Sequence, residues 1–140
     1  MTDFTIGAHV PAPYEQTVER VRALLADAGF GVLTEIDLQA TLRAKLGVET
    51  PPRVILGACR PELAHRALAT DPRIAALLPC NVVVAQDGDG SRVDVFDPAV
   101  MTELGSSHEL AEVAAEARLR LTGMMDALVH DEEVDDAARA

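Results

Sequence analysis

The sequence predicts an α+β fold, a two-layer sandwich whose mostly antiparallel five-stranded sheet carries helices on one face. Three observations predict it. Apolar runs of strand length alternate with helical periodicities, in the order strand, helix, four strands interrupted by helices, long helix. The segment Asp87-Gly88-Asp89-Gly90 joins two such runs and reads as a tight hairpin. A chain of 140 residues, 49% apolar and 25% charged, suits one domain that folds without disulfide or metal.

The elements follow in order. Residues 4–10 read as a short strand, and Pro13 suits the first turn of a helix. Val18, Val21, Leu25 and Ala28 repeat at helical spacing until Gly29 and Gly31 stop them. Phe30 to Ile36 is a second strand. Asp37 caps a helix carrying Leu38, Leu42 and Leu46 on one face, ended by Gly47. After Pro51-Pro52, Arg53 to Cys59 forms a third strand. Pro61 opens a short helix with Leu63, Ala64, Ala67 and Leu68 inward, and Asp71-Pro72 ends it. Ile74 to Leu78 reads as one more turn. Asn81 to Gln86 and Ser91 to Phe96 are the hairpin strands.

Asp97-Pro98 is a cap followed by Pro at a first helical position. Ser106 and Glu109 fit a capping box, which satisfies free amides at a helix start. The last helix, about 107 to 129, presents Leu110, Val113, Ala117, Leu121, Met124 and Leu128 inward. The run Asp131-Glu132-Glu133-Val134-Asp135-Asp136 sets residues 131–140 apart as an acidic disordered tail, leaving 1–130 as the domain. Val54-Ile55-Leu56 and Val82-Val83-Val84 are apolar at successive positions, so both faces of these strands ask for cover. Helices cover one face, and a second subunit is the economical cover for the other.

Charge and composition exclude several classes. The formal charge is −11, with Lys45 the one lysine and the arginines scattered, which disfavours nucleic acid and anionic membrane as partners. Aromatic residues make up 3% and there is no Trp, so a stacking platform for bases is not expected. No apolar run reaches the length of a membrane-spanning helix, and Met1-Thr2-Asp3-Phe4 does not begin a signal peptide. Two cysteines without a secretion signal point to reduced thiols in the cytoplasm.

Gly29-Phe30-Gly31-Val32-Leu33-Thr34-Glu35-Ile36-Asp37, then Ile55-Leu56-Gly57-Ala58-Cys59 with Pro61, and Leu77-Leu78-Pro79-Cys80-Asn81-Val82 resemble the signature blocks of the domain of unknown function 302 family. The blocks fall in the family's order, and the resemblance runs from about residue 6 to 128. It implies a TATA-binding-protein-like α+β fold and a homodimer. It lends no catalytic residues, because the family has no settled activity. Arg60 stands where an Asn is common in that family.

The candidate site is built around the two cysteines. Cys59 precedes the helix that Pro61 opens, where free amides, the helix dipole and Arg60 favour a thiolate while Glu62 opposes it. If the third and fourth strands are antiparallel neighbours, Cys59 and Cys80 share one sheet edge. Asn81 and Asp97 then fall nearby, which makes Cys59, Cys80 and Asp97 the catalytic candidates. Two packed cysteines and a helix cap account for the same residues without any site. Glu35 is a further ligand-binding candidate, alongside Cys59, Cys80 and Asn81, with Lys45 in reach from the next helix. It belongs to the opposite edge and so to a separate group.

No cofactor and no metal site is expected. The cysteines do not form a Cys-x-x-Cys pair, no His stands at ligand spacing from either, and His65 is expected to be exposed. Asp87-Gly88-Asp89-Gly90 lacks the ligand run of a calcium loop. The functional expectation is a homodimeric small-molecule-binding or sensory domain with no assignable reaction. The alternative is a thiol-dependent enzyme or sulfur carrier, with Cys59 as nucleophile and Cys80 resolving.

Overall fold

The computed structural model describes residues 3–104 and 107–139, with side chains through Asp131. Five strands, β1 (Thr5–Val10), β2 (Gly31–Asp37), β3 (Arg53–Cys59), β4 (Cys80–Asp87) and β5 (Gly90–Phe96), form one sheet in the order β1-β5-β4-β3-β2. Every neighbouring pair is antiparallel. The helices are α1 (Tyr14–Asp27), α2 (Leu38–Leu46), α3 (Pro61–Thr70), α4 (Val100–Leu104) and α5 (His108–Arg139), with a 3-10 turn at Pro72–Leu77. This is the expected α+β architecture.

Period-2 alternation decides what each strand buries. Val54 faces Val84, Leu56 faces Val82, and Val82 and Val84 face Val95 and Val93. These residues are buried in one core with Val21, Leu24 and Leu25 of α1 and Leu121, Met124, Met125 and Leu128 of α5. The six α5 positions read from the sequence as inward are all buried. The alternate residues, Ile36, Ile55, Asn81 and Val83, lie on the other face, and of these only Ile55 and Val83 are partly shielded.

Local chemistry ends the helices where the sequence places breakers. At the end of α1, Gly29 takes φ 88, its amide donates to Ala26, and the Phe30 amide donates to the Leu25 carbonyl at 2.9 Å. This paired closure needs a left-handed residue, which Gly supplies without a Cβ clash, and it turns Phe30 into the core. The carbonyl of Ala12 accepts from the buried hydroxyls of Thr17, at 3.3 Å, and Ser91, at 2.9 Å, tying the β1–α1 connection to β5. Asp37 accepts from the Ala40 amide at 2.9 Å and caps α2. Gly88, with φ 61, is the first residue of the two-residue hairpin loop, as a type II′ turn requires.

No residue of α2 is fully buried: Leu38 and Leu42 are half-covered where the helix lies against β2 and β3, and Leu46 stands exposed. The C-terminal end of the chain needs correction. The last helix does not end near 129: its backbone continues through Arg139, because 130–139 holds no Gly or Pro and includes several good helix formers. Asp131, the first residue of the expected acidic tail, pairs with Arg20 of α1. The expected capping Ser106 lies outside the described residues. Ser107 does that work, its Oγ accepting from the Leu110 amide at 3.3 Å, while Glu109 is held by Arg66 at 2.8 Å.

Two measurements follow. A Cβ added at Gly57 lies 2.7 Å from Pro79 Cγ and overlaps Thr34 Oγ1. Thr34 can rotate but the proline ring cannot yield, so Gly57→Ala is expected to destabilise the fold by about 1–3 kcal/mol in urea unfolding. Truncation after His130 removes the part-exposed Arg20–Asp131 pair and the last turns of α5. Such pairs contribute roughly 0–1 kcal/mol, so the melting temperature is expected to fall by only a few degrees.

Candidate functional site

The candidate site begins with register. Ala58 of β3 stands opposite Cys80 of β4, so Cys59 is one residue beyond that pair. Both cysteines therefore sit at the end of the sheet where β3 leaves and β4 enters. They are free thiols, Cys80 buried and Cys59 partly so. Both line one narrow cavity of about 40 Å³. Its floor is Phe30, Ala58 and Cys80 from the sheet. Leu63, Ala64 and Ala67 of α3 form one wall, and Val113, Ala114 and Ala117 of α5 another, with Pro98 and Met101 closing the side.

The cavity lies on a seam. Phe30 and Ala58 belong to the core between the sheet and helices α1 and α5. Leu63, Ala67, Met101, Val113 and Ala117 belong to a second core, which α3, α4 and the first half of α5 build around Ile74 and Leu110. Five of the lining residues are Ala, at positions 58, 64, 67, 114 and 117. Where helices α3 and α5 meet the sheet end with methyl groups alone, the two cores do not close on each other.

Arg60, which precedes α3, also lines the cavity. Its Nη1 donates to the Gly29 carbonyl at 3.4 Å, beside Arg120, whose Nη1 donates to the Ala28 carbonyl at 3.2 Å. The two guanidiniums meet the negative end of α1. Arg60 Nε is buried and has no hydrogen-bond partner among the described residues. Glu62 and Glu116 stand 3.8 and 3.9 Å from it, close enough for ion pairing and too far for hydrogen bonds. A guanidinium N–H taken out of water without an acceptor is costly, so this atom is an unmet donor on a residue that lines the cavity.

The thiols are protonated at neutral pH. Burial pushes Cys80 up to about 11, with the neighbouring Cys59 adding to the shift. Burial also raises Cys59, and the Glu62 carboxylate raises it further.

The other expected members of the site do not join it. Asn81 stands opposite Gly57 on the uncovered face, because alternation turns it away from Cys80. Asp97 does not line the cavity. It accepts from the Ala99 amide at 2.9 Å and from Arg118 Nε at 3.1 Å, so it is a cap and an ion-pair partner. Glu35 is far along β2 and pairs with Arg22 at 2.7 Å rather than with Lys45. It lines a separate shallow cleft with Tyr14, Glu15, Glu19 and Asp37. Burial and the Asp37, Glu15 and Glu35 carboxylates raise the Tyr14 hydroxyl above its ordinary value. His65 is exposed on α3. Sequence reasoning named Arg60 only as a cation beside Cys59 and missed the alanine walls, since Ala at helical spacing also reads as ordinary core.

The profile of the family described as "Domain of unknown function DUF302" matches residues 6–128. The chain belongs to the DUF302 family. The crystal structure of an uncharacterized conserved DUF302 protein from Bacillus stearothermophilus is similar to this DUF302 chain at 29% sequence identity, with a TM-score of 0.81. The similarity covers 89% of this chain and 98% of that one. No curated protein matches the chain. Among the described residues no helix is long and apolar enough to cross a membrane.

Raised thiols set an expected pH profile for alkylation. Iodoacetamide reacts with the thiolate, so labelling of the native protein at pH 7 is expected to be slow and to rise with pH. Cys59 labels first, and Cys80 labels only toward pH 11 or on unfolding. Mass spectrometry of the labelled peptides reads this directly. Rapid labelling of Cys59 at pH 6 to 7 contradicts the assignment.

Proposed function

We propose that this DUF302 protein is a homodimeric domain that binds a small molecule at the seam between its two cores, in a sensory or carrier role. The observation that carries the reading is the alanine-walled cavity lined by Arg60, whose buried Nε has no hydrogen-bond partner among the described residues. A pocket with apolar walls and one convergent polar group is the usual form of a small-ligand site. The ligand that matches it is slender and mostly apolar, and carries one hydrogen-bond acceptor for Arg60. Its acceptor need not be a full anion, because Glu62 and Glu116 already offset the Arg60 charge.

The dimer reading draws its support from the uncovered sheet face, where Ile36, Ile55 and Val83 lie without a helical layer over them. The alternative is a thiol-dependent enzyme or sulfur carrier that attacks with Cys59 and resolves with Cys80. That chemistry needs a thiolate near neutral pH, and burial with Glu62 works against it. The absence of Asp97 from the cavity also removes the nearest candidate base.

The test is native mass spectrometry of protein purified gently from its source, followed by thermal denaturation with the released compound added back. A bound small molecule that raises the melting temperature supports the reading. Ala64→Leu narrows the α3 wall at a part-exposed position and is expected to reduce that retention at least about tenfold while the fold remains cooperative. Retention unchanged in Ala64→Leu and in Arg60→Met places the ligand elsewhere and overturns the assignment of this cavity.

A further inference from the structure

We infer that a second copy of this chain docks on the strand–helix unit of residues 31–53, formed by β2, α2 and the connection to β3. The inference rests on the homodimer reading above and moves its contact from the open sheet face to the edge unit that adjoins it through Ile36. Within this unit, Leu33 is 65% exposed, Ile36 44%, Leu46 70% and Val48 42%. Four of the seven large hydrophobic side chains that stand exposed among the described residues thus fall within sixteen residues. Clustering of this kind marks an interaction surface, whereas single exposed hydrophobics do not.

The helix itself makes the second argument. α2 has nine residues and none of them is buried. An isolated helix shorter than about 12 residues is marginal in water, and most helices are held by an apolar face packed on something. Here the cap from Asp37, the bond from Gln39 to the Thr50 carbonyl at 2.9 Å and the Arg43–Glu49 pair at 2.9 Å hold its ends. Of its apolar stripe, Leu38 and Leu42 are only half-covered by β2 and β3, and Leu46 is left exposed.

Charge selects a second copy as the occupant. Residues 31–53 carry Glu35, Asp37 and Glu49 against Arg43, Lys45 and Arg53, a balance of three and three. The remainder of the chain therefore holds the whole formal charge of −11. The remainder carries twenty acidic residues against nine arginines, whereas two copies that meet through this unit do so without net repulsion. The irregularity between Val32 and Thr34 breaks the free edge of β2, so the contact is made by side chains of β2 and α2 rather than by extending the sheet.

Sedimentation velocity on the full chain tests this at micromolar concentration. The wild type is expected to be a dimer, and Leu33→Glu and Leu46→Glu are each expected to raise the dissociation constant at least about tenfold. Both side chains are exposed in the single chain, so the variants keep the wild-type circular dichroism. Leu119→Glu, at a 74% exposed position on α5 outside the unit, is expected to remain a dimer. A monomeric wild type overturns the homodimer reading and this surface together. A dimeric wild type whose Leu33→Glu and Leu46→Glu variants dimerise equally well overturns the surface alone. Dissociation by Leu119→Glu moves the contact to α5 and also overturns it.

Discussion

The pairing of β3 with β4 is the constraint on which the rest of this structure depends. Leu56 opposite Val82 places the widest part of the sheet's apolar surface under α1 and α5. Ala58 opposite Cys80, two residues on, brings the end of one strand to the start of the other and sets both cysteines at one end of the sheet. A slip of one residue would turn Val82 and Val84 to the uncovered face and send Cys80 with them. The core and the candidate site are thus two consequences of one register. Gly57 lies between these pairs, and its missing Cβ lets Thr34 and Pro79 close over that position.

The cavity is what remains when two cores meet without merging. α5 is long enough to serve both: its first half packs with α3 and α4, and its second half packs on the sheet. The boundary falls near Ala114 and Ala117, across from Ala64 and Ala67 of α3. Small side chains bring the backbones together but leave the volume between them unfilled. Arg60 spans this boundary from the other side, fixed by the Gly29 carbonyl at the end of α1. The same left-handed Gly29 that closes α1 therefore helps to hold the arginine of the site. The cysteines, desolvated in that boundary, serve as small buried walls, and their raised thiols follow from the burial that makes the cavity apolar.

Charge and exposure divide the molecule differently. One end of the sheet carries the cavity. The outer strand β2 and helix α2 carry exposed leucines, isoleucine and valine in a charge-balanced setting within an acidic chain. The two regions adjoin along the β2–β3 pair: Gly31, next to Phe30 of the cavity, stands opposite Cys59, and α2 follows the other end of β2.

The sequence by itself determined the order and type of the elements. Breakers and caps are local chemistry: Gly29, Gly47, Asp37, Pro61 and the Asp87–Gly90 turn act through their own backbone, and each ends or begins an element where it was read. The sequence made a shared sheet end for Cys59 and Cys80 conditional on β3 and β4 being antiparallel neighbours, and the structure supplies that pairing. Tertiary structure alone decided which neighbours joined them. Asn81 was lost to strand alternation and Asp97 to Arg118, a partner twenty-one residues away. Ala114 and Ala117 entered from α5, far from Cys59 in the chain. Whether Leu42 and Leu46 face a core was likewise not local: periodicity marks an apolar stripe, and only packing tells what lies against it. The environment of Cys59 is likewise not local: its place before a helix is written in sequence, but its burial, the larger cause of its upward shift, depends on every element that closes over it.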